Sequence, residues 1–316
     1  MRLLRAILLR LLFGAVSLLF ISFVTFLADE VAPGDAATAR AGEKATLAQV
    51  EQKRRELGLD RPWPTRYVEF VGKAVTGDLG QSYFRTREPV REILATKMPV
   101  TMNIATYAII LASAIGIFFG TLAAVKQNRF ADRSVLTFST LGVTVPNFVL
   151  APLLVLLFAV KMDVLPQTWE SRMVAPEIFY LILPVCILAA RPAALLTRLT
   201  RASMIDTLQQ EFIRTATAKG VPRGRLLIRH GLRNAILPVI TAIGTSFGFL
   251  LTGSFVIERA FTIPGIGSAT IEAILQGDMP VVQAGIMVTG TIFILLNLLV
   301  DVLLPILDPR IRESQV

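Results

Sequence analysis

Residues 235–257 read AILPVITAIGTSFGFLLTGSFVI, 23 positions without one charged side chain. A helix rises 1.5 Å per residue, so about 20 such residues cross the roughly 30 Å of hydrocarbon in a bilayer. Runs of the same kind recur on both sides of it. They predict six spans: Arg10–Leu27 (starting near Ile7), Thr101–Val125, Ser134–Val160, Ile178–Leu196, Ala235–Ile257 and Val281–Leu304. Mean hydropathy is +0.63 and 53% of residues are hydrophobic, far above a soluble domain. Barrel strands would alternate over about ten residues, and these runs do not alternate. The fold class is therefore all-α and polytopic.

A secretory signal is the other reading of the first run, because Arg2, Arg5 and Arg10 precede or open it. Its apolar stretch exceeds the roughly 7–15 residues of a signal core, and Phe26-Leu27-Ala28 is too bulky for a peptidase. It is read as a span. Charge then sets orientation. With six spans the two termini share a side with 126–133, 191–233 and the tail after Leu307. That side holds 17 Lys and Arg against 5 Asp and Glu, and the opposite side 15 against 17. The basic side is expected to be cytoplasmic. The pI of about 10.2 is thus a topology signal, and no basic motif interleaved with aromatics points to nucleic acid.

The chain divides as 1–27 (N-terminal tail and first span), 28–99 (extracytoplasmic insert), 100–308 (membrane core with a cytoplasmic loop 197–234) and 309–316 (cytoplasmic tail). Within the insert, Ala45–Leu57 reads as an exposed amphipathic helix with Leu47, Val50 and Leu57 on its apolar side. Gly58 to Pro64 breaks it, and Trp63, Tyr67 and Phe70 follow at helical spacing. About seventy residues make only a marginal core, so the insert is expected to lean on the spans or on a partner. Two shorter outer loops, 161–177 and 258–280, follow; the second carries Pro264-Gly-Ile-Gly267, read as a flexible turn.

On the basic side lies Glu211-Phe-Ile-Arg-Thr-Ala-Thr-Ala-Lys-Gly220. Met204, Leu208, Phe212 and Ala216 recur every four residues and predict one helical face. Gly220 suits the left-handed conformation that ends a helix, and Pro222 blocks continuation. A second short basic and apolar run, Arg223 to Asn234, follows. Such a compact pair of helices is a docking surface; the bland alternative is that Arg214, Lys219 and Arg223 only hold the loop inside. His230 reads as a packing residue of the loop.

Enzyme signatures are missing. One His rules out HExxH, and neither GxSxG nor GxxxxGK[ST] occurs. The lone Cys186 cannot form an internal disulfide and is expected to be a small buried residue. Arg191 and Asp301 are the ionisable groups within spans, each costing about 2.5–3.5 kcal/mol at mid-bilayer. They read either as snorkelling to the interface or as the lining of a solute path. An ion-driven carrier needs buried carboxylates and paired repeats, which this chain lacks. Six spans with an uncharged interior suit half of a pathway powered by something else.

Several segments stand in a familiar order: Leu57-Gly-Leu-Asp-Arg-Pro-Trp, Gly77-Asp-Leu-Gly-Gln-Ser82, Phe212 to Gly220, Arg229-His-Gly-Leu-Arg-Asn-Ala-Ile-Leu-Pro238, Pro264 to Gly267, and Asn297-Leu-Leu-Val-Asp301 through Leu307-Asp-Pro-Arg-Ile-Arg312. Together they resemble the dipeptide/oligopeptide (and nickel) family of ABC-transporter permease subunits over nearly the whole chain. The resemblance implies a binding-protein-dependent importer in the inner membrane. Its expected partners are a second permease subunit, two cytoplasmic ATPases, an external solute-binding protein and the lipid bilayer. No cofactor, metal or catalytic residue is implied.

The 211–220 segment resembles the loop that couples such permeases to the ATPase, whose general pattern is Glu-Ala-Ala-x-x-x-Gly. Here Arg214-Thr215-Ala216 precede Gly220, so Arg replaces Glu; the usual Ile-x-Leu-Pro falls at His230 to Arg233, and Leu-Pro comes later at Leu237-Pro238. The coupling residues expected are Glu211, Arg214, Thr215, Ala216, Lys219, Gly220 and His230. Gly244 and Gly248 offer a close-packing face, and Pro146, Pro152 and Pro184 are expected to kink their spans. Arg191, Thr252, Ser254, Asn297 and Asp301 are the candidates for the pathway lining. An ion channel or small carrier is the alternative function and would need no coupling loop. An intramembrane enzyme would need paired catalytic groups in mid-membrane.

Overall fold

The computed structural model describes residues 2–31, 36–42, 45–56, 58–84, 88–169 and 177–307. Among these the regular elements are all helices, and the one β-bridge, Gln81 with Pro89, is isolated. The insert carries the short helices α2 (Ala36–Ala41), α3 (Leu47–Glu56) and α4 (Trp63–Val75) after α1 (Arg2–Val31). Next come α5 (Val90–Val125), α6 (Phe130–Thr144), α7 (Asn147–Leu154), α8 (Glu177–Leu208) and α9 (Glu211–Ala218). The chain ends in α10 (Arg223–Arg225), α11 (Arg233–Ala260), α12 (Ile266–Gln276) and α13 (Met279–Leu307). Two π-helical stretches extend these elements, Val155–Lys161 after α7 and Leu226–Leu232 between α10 and α11.

Among the described residues five helices are long and apolar enough to cross a membrane: Leu8–Ala28, Val90–Val125, Ile178–Leu208, Arg223–Ala260 and Met279–Val300. The expected third span is instead a pair, Phe130–Thr144 and Asn147–Lys161, bent by 105°. Counted as one broken span, it makes six. The break is chemical. Pro146 has no N–H to continue the helix, and it drives Val145 into extended backbone (φ −79°, ψ 117°). Pro152 and Pro184, by contrast, lie inside helices that run on past them. Most of the helices also outrun the apolar runs. α5 starts eleven residues before Thr101, and α8 continues twelve beyond Leu196.

The chain divides into two compact units. One comprises residues 1–101 and 263–294. There α4 lies on α1 through an aromatic cluster, Phe23 and Phe26 against Trp63, Tyr67 and Phe70, with centroids 5.4–6.3 Å apart. Leu47 at the start of α3 is exposed, and nothing on that helix is buried; Leu57, expected on the same face, lies outside the described residues. The Pro264-Gly-Ile-Gly267 segment is not a flexible turn. Ile266 and Gly267 are buried and open α12, whose first N–H is capped from afar by Thr101 Oγ1 at 2.9 Å.

The other unit comprises residues 102–262 and 295–316. Small residues bring its helices together. A Cβ on Gly116 would stand 2.5 Å from Leu196 Cβ, and one on Gly120 would stand 2.6 Å from the Thr197 carbonyl. α5 and α8 therefore touch backbone to backbone. Gly244 of α11 makes the same close approach to Val300 of α13, and Gly248 is buried. Cys186 is exposed on α8, contrary to the expectation for a small apolar residue.

Candidate functional site

α8 stops at Leu208 and the chain turns at Gln209-Gln210, where Gln210 is extended (φ −71°, ψ 149°) and its N–H bonds the Thr207 carbonyl. This turn overturns the expected four-residue face. Met204 and Leu208 belong to α8, while Phe212 and Ala216 belong to α9. The buried face of α9 is Ile213 with Ala216, and Phe212 is 41% exposed. The buried face rests on the π-helical stretch Leu226–Leu232. Ile213, which the sequence reading passes over, is thus the anchor; its three-residue spacing to Ala216 is the available signal.

The helix stop is as expected and can be read bond by bond. Gly220 is left-handed at φ +77°. Its N–H bonds the Thr217 carbonyl at 2.9 Å, and the Val221 N–H bonds the Ala216 carbonyl at 3.2 Å. This pair of bonds is the Schellman motif. Pro222 then opens the next helical run.

Arg223–Asn234 is not a separate helix. It is the first part of a continuous 38-residue run, Arg223–Ala260, wound as π-helix where it passes under α9. Gly231 there is buried against Met204 and Leu208. Met204, Ala124 and Ala235 form the small apolar core under the loop, with Leu227 and Leu232 packed on it. Ser203 Oγ donates to the Ala235 carbonyl at 2.7 Å and fixes α8 to α11. His230 is half-buried, and its carbonyl accepts from Asn234 Nδ2 at 2.7 Å.

The outer surface of the loop is cationic. Arg214, Lys219, Arg223, Arg225 and Arg229 are all exposed, with Phe212 and Ile228 among them. Glu211 and Arg214 pair at 2.7 Å, but both are more than 70% exposed, so water screens the pair. Thr215 is exposed and returns its hydroxyl to the Glu211 carbonyl at 3.1 Å. Behind this surface lies a pair that sequence reading misses. Asp132, 2% exposed, accepts from Arg201 Nε at 2.6 Å and Nη2 at 2.8 Å, and from the Asn128 N–H at 2.8 Å. This two-pronged contact ties the start of α6 to the end of α8, just ahead of α9.

The pathway candidates separate. Thr252 is exposed on α11. Ser254 is fully buried and donates to Glu258 Oε1 at 2.8 Å, itself a fully buried carboxylate where the sequence alone suggests an outer loop. Asn297 is half-buried on α13, and the side chain of Asp301 lies outside the described residues. Arg191 is exposed near the middle of α8. It heads a stripe, Arg191, Leu195, Arg198 and Ala202, at helical spacing, and all four are exposed. Neither arginine has an ion-pair partner among the described residues.

A second constellation lies in the other unit. Asp278, 3% exposed, follows the left-handed Gly277 that ends α12. Its carboxylate accepts the Ser82 hydroxyl and, at 3.0 Å, the Tyr83 N–H. The Gly77–Ser82 segment is thereby pinned to the α12–α13 corner.

Comparison with known proteins agrees with this layout. A model of the binding-protein-dependent transport system inner membrane component family matches residues 116–313, and a model of the N-terminal part of such components matches 3–105. The chain belongs to this family. It is 38% identical over 290 residues to the probable peptide ABC transporter permease protein y4tP of Sinorhizobium fredii, covering 91% of this chain and 92% of that one. It is 39% identical over 306 residues to the glutathione transport system permease protein GsiC of Escherichia coli, covering 95% and 97%. Pectobacterium atrosepticum has a GsiC that is 39% identical over 303 residues, covering 94% and 95%.

Proposed function

We propose that this chain is the permease subunit of an ABC importer and forms half of a membrane path for peptides, including small acidic ones of the glutathione type. Family membership and the names of the relatives support the class. The observation that carries the mechanism is the Glu211–Gly220 helix. It is short, anchored from beneath by Ile213 and Ala216, terminated at Gly220 and cationic outside. A helix built this way transmits a push because its inner face is fixed while its outer face is free to bind an acidic groove on a separate ATPase. Asp132–Arg201 and Ser203–Ala235 then carry the displacement into α6 and α11. The basic loops put this side, with both termini, in the cytoplasm. A second permease subunit and an external binding protein complete the system.

The exposed α8 stripe supports the path itself. Arg191 lies within the apolar run of α8, where lipid contact is costly, and Arg198 follows in the loop 197–234, so the exposed pair reads as the cytoplasmic mouth of a water-filled path. A path mouth carrying two guanidinium groups with no ion-pair partner among the described residues attracts the carboxylates of peptides. Single cysteines at Thr215 and Lys219 test the coupling role. They should cross-link to the ATPase subunit in the assembled complex, with yields that change on adding ATP. Absence of cross-links in a complex that transports would remove the docking role from this helix.

A further inference from the structure

The helix α4 stands within the insert, yet its contacts are with the membrane-spanning part of α1. The apolar run of α1 ends at Ala28, and the charged Glu30 follows. Phe23 and Phe26, which meet Trp63, Tyr67 and Phe70, stand about 8 and 3 Å of helix before that end at 1.5 Å per residue. The Tyr67 hydroxyl reaches deeper still, to Ser22 Oγ at 3.0 Å and the Leu19 carbonyl at 3.1 Å. Arg66 marks the other level. It pairs with Glu30 at 2.8 Å, beyond the end of the apolar run.

The faces of α4 match that placement. The aromatic face lies on α1. Next to it runs an exposed apolar edge, Val68 at 69% and Val75 at 83% exposed, with nothing within 4 Å of where a Cβ on Gly72 would stand. Lys73 lies on the opposite, polar side, also exposed. Two exposed valines on a helix whose aromatic face packs against the apolar end of a span have one partner that requires no further protein: lipid.

We infer that α4 lies in the membrane interface, in the leaflet that holds the C-terminal end of α1, with Val68 and Val75 against lipid acyl chains. The depth of about 3–8 Å agrees with the 5–10 Å typical of interfacial amphipathic helices. Trp63 and Tyr67 supply the amphipathic rings found at that level. The consequence is mechanical. The segment after α4, Gly77–Ser82, is held at the membrane surface between this anchor and Asp278.

The test uses the complete transporter in lipid nanodiscs. In a Cys186→Ala background, Val68→Cys, Val75→Cys and Lys73→Cys are each labelled with a polarity-sensitive fluorophore. All three positions are exposed, so folding is not at stake. Phosphatidylcholine carrying a nitroxide high on its acyl chain should quench most of the emission at Val68 and Val75, and little at Lys73. Aqueous iodide should show the reverse order. Equal iodide quenching at all three sites overturns the inference and returns α4 to solvent. Protection of Val68 and Val75 from both quenchers also overturns it, because a protein partner then covers that edge.

Discussion

Gly220 offers the sharpest prediction. It is left-handed at φ +77°, and no atom lies within 4 Å of the point where a Cβ would stand. A substitution there meets no steric neighbour, so its cost is that of the backbone alone. For an L-residue that cost is about 1–2 kcal/mol. It falls on the two bonds that end α9, Gly220 N–H to Thr217 and Val221 N–H to Ala216. A shift of that size lowers the ratio of ordered to frayed stop by roughly 5–30-fold. Gly220→Ala should therefore reduce ATP-dependent uptake measurably, by up to about 30-fold, provided the ordered stop is what the ATPase engages. Gly220→Val should do more, since a β-branched residue is worse at positive φ. Gly220→Asn should recover most of the activity, because Asn visits this conformation readily. The assay is peptide uptake by the assembled transporter in proteoliposomes, with binding-protein affinity as the control that should not move. Wild-type uptake by the Ala variant, or an Asn variant as impaired as Val, refutes the reasoning.

Arg201→Ala should lower thermal stability of the purified protein sharply, by about 3–5 kcal/mol, because it strands the buried Asp132 carboxylate; Asp132→Asn with Arg201→Met together should cost less than either change alone. Gly120→Val should abolish accumulation of folded protein, since its Cβ would meet the Thr197 carbonyl at 2.6 Å, whereas Gly253→Ala, with open space around it, should accumulate normally. Asp278→Ala should destabilise the protein by about 1–3 kcal/mol, since it leaves the Tyr83 N–H and the Ser82 hydroxyl without their acceptor, and limited proteolysis should then cut near Gly77–Ser82. Arg191→Ala with Arg198→Ala should reduce uptake of acidic peptides more than neutral ones, measured as the ratio of their uptake rates.

The parts of this fold governed by local chemistry were legible in the sequence. Apolar runs announced the long helices, and Gly220 with Pro222 announced the end of α9. Pro146 announced the break, but a local rule does not contain the size of the bend, 105°. Periodicity misled across Gln209-Gln210, because a four-residue repeat continues on paper through a turn that breaks the helix in space. Contacts between distant residues were illegible. Asp132 and Arg201 are 69 residues apart, and Ser82 and Asp278 are 196 apart. Each reads alone as an ordinary loop or helix-end residue. Glu258 was hidden for another reason: it follows an apolar run directly, where a charge normally marks the water boundary, yet α11 carries it into a buried position beside Ser254.

The proposed coupling requires that this chain move solute only when driven through α9 by a separate ATPase. The direct measurement is uptake of a labelled peptide into proteoliposomes containing this chain and its second permease subunit, with and without the ATPase subunits and internal ATP, binding protein being supplied outside. Coupling of this kind gives accumulation only when ATPase and ATP are both present. Equal accumulation by the permease subunits alone would contradict it and make the protein a channel or carrier.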